Sequence, residues 1–218
     1  LATFDGNTWT TYNTSNSGMQ NNWISSMLID AVGNVWMTSG GLTKFDGSNW
    51  TTYNASNINR LLAIDSNGNI WMSTFAGYIG GLGLIKFDGV NWITYSTSNS
   101  GLPNDNVSSV AIDCSGNKWI GTAGGGLAKF DGTNWITYNT SNSGLPDDIV
   151  NSVAIDGSGN IWVGASNGLA RFDGTNWTIY KGSPYNRVES ITIDASGDVW
   201  FGNSIGLFHL TARELQLA

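Results

Sequence analysis

Five copies of one aromatic-bracketed unit run through this chain of 218 residues, and that repetition limits the fold more than any other feature. The triplet Phe-Asp-Gly begins at Phe4, Phe45, Phe87, Phe130 and Phe172, at intervals of 41, 42, 43 and 42 residues. A tryptophan follows each triplet (Trp9, Trp50, Trp92, Trp135, Trp177), and a tyrosine follows that (Tyr12, Tyr53, Tyr95, Tyr138, Tyr180). Ile-Asp pairs end at Asp30, Asp65, Asp113, Asp156 and Asp194. Each leads through a glycine to a second tryptophan: Trp36, Trp71, Trp119, Trp162 or Trp200. Ten of the eleven tryptophans therefore occupy repeat positions, and Trp23 alone stands outside the pattern.

The most regular copy, Gly144 to Tyr180, reads as four short strands. They are Val150 to Ile155, Ile161 to Ala165, Leu169 to Phe172 and Trp177 to Tyr180. The segments between them are rich in Gly, Asn and Asp, which tolerate positive φ or bond their own backbone. No stretch sustains a 3.6-residue apolar period, so helix is nearly absent. Four-stranded units of about 40–45 residues in radial repetition predict an all-β fold, a β-propeller of antiparallel blades. Residues 1–218 read as one such domain of about five 42-residue repeats. Leu1 to Phe4 aligns with a third strand and Thr8 to Tyr12 with a fourth, while the C-terminal end supplies a first, second and third. Pairing the last three strands with the N-terminal fourth would close five blades and leave one third strand surplus. The alternative is part of a larger six- to seven-bladed propeller.

Composition narrows the function classes. The net charge is −7, but ten of the 16 acidic residues belong to Phe-Asp-Gly or Ile-Asp turns. With no basic patch, nucleic acid is excluded as a partner. No apolar run reaches membrane-spanning length, so no membrane insertion is expected of this segment. One cysteine, Cys114, rules out a disulfide framework. No signal peptide is readable, and an opening at Leu1 fits a processed or trimmed N-terminus. Few lysines and many Asn, Ser, Thr and Trp point to an extracellular or periplasmic location. The sequons at Asn13 and Asn139 would matter only in a eukaryotic secretory pathway.

The segments Gly101 to Gly121 and Gly144 to Gly164, of form G-L-P-x-D-x-V-x-S-V-A-I-D-x-S-G-N-x-W-I/V-G, resemble the two-component regulator propeller repeat. The other copies are looser: Gly18-Met19-Gln20 replaces Gly-Leu-Pro, Asn57-Ile-Asn-Arg shortens the loop, and Gly182-Ser-Pro-Tyr replaces it again. The resemblance implies a propeller. In that family such repeats build extracytoplasmic sensor domains of hybrid histidine kinases, often recognising carbohydrate breakdown products, and also occur in secreted proteins without a kinase. Nothing kinase-like is present here.

A binding site is expected on the face carrying the fourth-to-first and second-to-third connections. Eight residues before each Ile-Asp aspartate stand Asn22, Asn57, Asp105, Asp148 and Asn186. They are either a polar ring for a cation or sugar hydroxyls, with Asp105 and Asp148 the weak metal candidates, or backbone caps, and the cap reading is favoured. Departures from the repeat give the ligand-binding candidates Trp23, Arg60, Phe75, Tyr78, Asn151, Arg187 and Glu189. Arg60 and Glu189 would approach each other only across the channel. An aromatic beside charged groups suits a glycan or small polar molecule; a protein partner is the competing reading. No enzyme is expected, no catalytic residue is assigned, and neither cofactor nor metal is called for. The five Asp-Gly aspartates could be mistaken for catalytic or calcium carboxylates, but Asp-Gly between two strands is a hairpin turn. His209, the single histidine, stands on a third strand where other copies carry Lys or Arg. It is read as an exposed strand residue rather than the axial base that some propeller lyases need. A structural role in an extracellular assembly and an Asp-dependent hydrolase or lyase remain the alternatives.

Overall fold

The computed structural model describes residues 1–55, 58–74, 81–182 and 184–211. Among these there is no helix, and so none long and apolar enough to cross a membrane. The chain forms two compact units, one of Leu1–Gly81 with Ile85–Ile93, the other of Leu82–Leu84 with Thr94–Ala218.

The first unit opens with β1 (Ala2–Phe4) and β2 (Trp9–Thr11), paired antiparallel as a two-stranded sheet. A complete blade follows: β3 (Ser26–Ile29), β4 (Val35–Thr38), β5 (Leu42–Phe45) and β6 (Trp50–Tyr53), in that spatial order. Next come β7 (Ile58–Ile64), β8 (Ile70–Thr74), β9 (Leu84–Phe87) and β10 (Trp92–Tyr95), again a four-stranded meander. The second unit holds the blade β11 (Val107–Ile112), β12 (Lys118–Thr122), β13 (Gly126–Phe130) and β14 (Trp135–Tyr138). It continues with β15 (Val150–Ile155), β16 (Ile161–Ala165), β17 (Gly168–Phe172) and β18 (Trp177–Tyr180). It ends in a three-stranded sheet of β19 (Ser190–Ile193), β20 (Val199–Asn203) and β21 (Gly206–Leu210).

Among the described strands, the last three form a sheet of their own. The place beside β2 is taken by β1, with Tyr12 N–H donating to the Leu1 carbonyl at 2.8 Å and the Leu1 ammonium donating to the Tyr12 carbonyl at 3.0 Å. Neither third strand is displaced; each stands in its own sheet.

Strand alternation gives every blade two apolar faces. In β16, Ile161 and Val163 point one way and Trp162 the other. The layer between the β11–β14 and β15–β18 blades joins Trp119, Leu127 and Tyr138 to Val153, Ile161, Val163 and Phe172. The layer between β15–β18 and β19–β21 repeats it, with Trp162, Leu169 and Tyr180 against Val199, Phe201 and Phe208. Within the first unit, Trp36, Leu42 and Tyr53 meet Ile70, Met72, Ile85 and Phe87 in the same way. There too Leu1 and Tyr12 cover Met37 and Phe45. Burying one such tryptophan stabilises by about 4 kcal/mol, from roughly 150–250 Å² at ~25 cal/mol per Å².

The turns use the chemistry their sequences advertise. At Asp173-Gly174, the carboxylate accepts the N–H groups of Thr175 (2.8 Å) and Asn176 (2.7 Å), and Gly174 takes φ +98°. Repeated backbone bonds of this kind hold the pKa of Asp5, Asp46, Asp88, Asp131 and Asp173 below the ordinary value. These five aspartates are turn residues, as expected.

Candidate functional site

Three loops that lead into a first strand share one construction. In the second unit, Asp148 accepts the Thr140 N–H (2.8 Å) and hydroxyl (3.3 Å), and Asp105 does the same for Thr97 (2.7 and 3.1 Å). In the first, the Asn22 side-chain oxygen accepts the Thr14 N–H at 2.9 Å. The Asn-Thr-Ser-Asn-Ser segment beneath is cross-braced: Asn142 donates to the Thr137 carbonyl, and Asn139 accepts from the Ser141 N–H and hydroxyl. Leu145, 4% exposed, then plugs the loop into the core. Gly144 is required there because a Cβ would stand 2.3 Å from the Trp177 Cβ. The polar ring thus works, in these three copies, as a set of loop clamps. Asn57 lies outside the described residues, and Asn186 instead offers its carbonyl to Asn203 at 3.2 Å. No cluster of three metal-ligating side chains occurs among the described residues.

The Ile-Asp carboxylates at the other end of the strands are equally engaged. Asp156 accepts from Ser158 N–H (3.0 Å), Asn160 N–H (2.9 Å), Asn160 Nδ2 (2.8 Å) and Trp162 Nε1 (3.0 Å). Burial opposes the charge, but these donors outweigh it and hold Asp65, Asp113 and Asp156 below the usual carboxylate range. Asp30 is taken to about 2 by the same contest between burial and donors from Trp36, Asn34 and Val32. A cleft of about 410 Å³ lies between the turns Ile112–Cys114 and Ile155–Gly159. Its two carboxylates are those of Asp113 and Asp156, whose oxygens already serve the turns.

Of the described residues that depart from the repeat, Trp23, Arg187 and Glu189 precede a first strand, and Arg60 and Asn151 lie on one. Trp23 stands just before β3 and is 77% exposed, its N–H held by Asn21 Oδ1 at 2.9 Å. Arg60 is exposed on β7, opposite Ser73 of β8. Phe75 and Tyr78 lie outside the described residues. In the second unit Asn151 is engaged structurally: its amide donates to the Val188 carbonyl of the next blade at 3.0 Å. Ser108, at the matching position, donates to the Val150 carbonyl at 2.6 Å. Arg187 Nε donates to Glu189 Oε1 at 3.1 Å, so Glu189 finds its partner two residues away and needs no cross-channel one. The pair projects outward because Val188 between them is fully buried, and Arg187 takes φ +50° to allow it.

His209 sits on β21 directly opposite Trp200, its ring stacked at 4.7 Å. It fills the place of Lys44, Lys129 and Arg171, whose cationic ends lie 5.6, 5.3 and 6.0 Å from the centres of Trp36, Trp119 and Trp162. It is the exposed strand residue that its position predicts. Sequence reasoning missed the serines that tie one first strand to the next. Ser109 Oγ accepts the Val153 N–H (3.0 Å), and Ser152 Oγ accepts the Ile191 N–H (3.1 Å). The recurring Ser-Val-Ala-Ile-Asp spacing was the available signal.

Residues 144–167 match the family model described as "Two component regulator propeller". No curated protein matches the chain. Among solved structures, a catalytically inactive virginiamycin B lyase from Staphylococcus aureus with quinupristin is similar at 17% identity and TM-score 0.71, covering 96% of this chain and 72% of its own. The extracellular domain of a hybrid two-component system from B. thetaiotaomicron is similar at 21% identity and TM-score 0.56, covering 90% of this chain and 35% of its own. PorZ, a surface component of the type-IX secretion system of Porphyromonas gingivalis, is similar at 17% identity and TM-score 0.65, covering 96% and 36%. This chain therefore spans about a third of the sensor and secretion-system relatives. At these identities the likeness is one of fold, an all-β arrangement of four-stranded antiparallel sheets like those of propeller structures, and residues 144–167 are similar to the two-component regulator propeller repeat.

Proposed function

We propose that this propeller is a non-enzymatic binding module that takes a glycan or small polar molecule on its loop face, outside the cytoplasm. The observation that carries the reading is Trp23, the one tryptophan with no place in the repeat, which exposes 77% of its surface among amide side chains. A flat aromatic face left in water beside Asn21 and Asn22 suits the apolar face and hydroxyl rim of a sugar. The acidic residues that a hydrolase or lyase would use are engaged elsewhere: those of the Asp-Gly and Ile-Asp turns hold hairpins, and Asp105 and Asp148 clamp loops. The similarity to a hybrid two-component sensor's extracellular domain supports binding and an extracellular or periplasmic setting; the similarity to lyases is the reason to test it.

The test is a glycan array followed by calorimetry on wild type and Trp23→Ala. Binding should fall at least about tenfold in the variant, the worth of one exposed aromatic contact, with no change in melting temperature. Absence of any glycan or small polar binder, or full binding by Trp23→Ala, would overturn the proposal.

A further inference from the structure

No charged side chain stands between Asp5 and Asp30, and Arg60 is the only one between Asp46 and Asp65. These two stretches carry the entries to β3 and β7, neighbouring first strands of the first unit. At the loop-clamp spacing they hold Asn22 and Asn57, where the second unit holds Asp105 and Asp148. In a chain of net charge −7, Arg60 thus stands in a stretch stripped of acids. Lys44, Lys86, Lys129 and Arg171 lie over tryptophan rings, and Arg187 pairs with Glu189. The Arg60 guanidinium enters no ion pair, hydrogen bond or ring contact among the described residues.

The strand beneath Arg60 is also built differently. Arg60 pairs with Ser73, the register place that Ser109 holds opposite Gly121 and Ser152 opposite Gly164. Those two serines accept a backbone N–H from the next first strand. A guanidinium has five donors and no acceptor, so Arg60 cannot serve in that bond. β7 is seven residues long where β11 and β15 have six. Its ladder shifts twice, between Ile58 and Arg60 and between Leu61 and Ala63, whereas theirs shift once. Bulges bend a strand and re-aim its side chains, and they gather beside functional sites. Arg60 is exposed, while Ser109 and Ser152 are half-buried.

We propose that the sugar bound at Trp23 is an acidic one, a uronate, with its ring on the indole face and its carboxylate held by Arg60. The inference rests on the reading of Trp23 as a sugar-binding aromatic. Ser26 is the counterpart of Arg60 on β3, pairing with Thr38 as Arg60 pairs with Ser73, and Trp23 lies three residues before it. Three extended residues span at most roughly 10 Å, a length that an oligosaccharide bridges. The planar fork of an arginine matches a carboxylate with two parallel hydrogen bonds, and no acidic residue of these two stretches competes for it.

The test is calorimetry with oligosaccharides of glucuronate, galacturonate and mannuronate, each as the free acid and as its methyl ester, which lacks the charge. Wild type should bind at least one free acid about tenfold or more tighter than its ester, and raised salt should narrow the gap. Arg60→Gln should bind that acid only as weakly as wild type binds the ester, with the ester unaffected and the melting temperature unchanged. Arg60→Glu should bind the acid more weakly still, and Trp23→Ala should lose both forms. Equal binding of acid and ester by wild type overturns the inference and leaves sugar binding at Trp23 standing. So does an acid preference that survives in Arg60→Gln, or binding of neutral glycans with no uronate bound. A protein that binds no glycan at all removes the underlying reading and this inference with it.

Discussion

Replacing Asp156 with asparagine is the sharpest test of the idea that the repeated carboxylates are structural. The substitution changes almost no volume and leaves one acceptor oxygen where there were two. Four donors converge on Asp156, two on each oxygen, at 2.8 to 3.0 Å. Whichever way the new amide turns, its NH2 group faces two N–H donors. If it keeps the backbone pair, the orphans are Asn160 Nδ2 and Trp162 Nε1, belonging to side chains 8% and 0% exposed. Each buried orphan donor costs about 1–3 kcal/mol. Relaxation of the turn brings the pair to the lower half of that range, about 3 kcal/mol in all. For a chain of this size that is a fall of roughly 6–12 °C in melting temperature. The same change at Asp194 is the internal control. That turn has Asp198 in place of the asparagine, and Trp200 is half-buried, so only one partly solvated donor is lost and the cost is smaller than at Asp156. Thermal melts by circular dichroism, with urea midpoints by tryptophan fluorescence, measure both. The reasoning fails if Asp156→Asn shifts stability by less than about 0.5 kcal/mol, or if Asp194→Asn costs as much.

Acid should loosen the same turns. Folding depresses the pKa of Asp30, Asp65, Asp113 and Asp156, so their contribution is complete above the unfolded value of 3.8 and is lost as pH falls toward the folded one. For Asp30, 3.8 falling to about 2 corresponds to at most about 2 kcal/mol, and screening at this partly solvated site reduces it to about 1. Melting temperature should therefore be level above pH 4 and fall between pH 4 and 2, and Asp30→Asn should flatten part of that fall. Gly164→Ala should destabilise by about 1–3 kcal/mol, since its Cβ would stand 2.6 Å from Val188 Cγ1, while Gly157→Ala, with nothing within 4 Å, should be near neutral; urea midpoints separate them. Ser109→Ala should cost about 1 kcal/mol by orphaning the Val153 N–H, and native-state hydrogen exchange should show that amide losing protection first.

The strands and turns were legible because they depend on short-range chemistry. Ser-Val-Ala-Ile-Asp followed by Gly-Asn-x-Trp writes a hairpin, and the expected Val150 to Ile155 and Ile161 to Ala165 match β15 and β16 residue for residue. The N-terminal third and fourth strands were equally clear, at Ala2–Phe4 and Trp9–Thr11. What pairs with them was not. Third strands look alike in every copy, and sequence carries no marker for whether β2 takes its partner from β1 or from β21. The candidate site was harder for a different reason. Divergence from a repeat marks both freedom and function. Asn151 differs from Ser108 yet bonds the next blade's backbone as the serine does. Arg187 and Glu189 look like separate charges along the chain, but a buried Val188 turns both outward so that they neutralise each other. Trp23, the one tryptophan outside the repeat, is exposed just before β3.

The serines between first strands bear on how such a chain changes its length. Ser109 and Ser152 bind backbone N–H groups, which every residue but proline offers, and the tryptophan–phenylalanine layers on either side of the β15–β18 blade use the same residue types. A blade's two sides therefore fit its neighbours' by rule rather than by individual tailoring. Duplication or loss of a unit that carries the serine, as those with Ser109 and Ser152 do, leaves the new junction with the contacts of the old one, whereas the copy with Leu61 at that spacing lacks the serine. Copy number can drift in such a lineage without a compensating substitution at the seam, and selection is then free to act on the few loop positions where copies disagree.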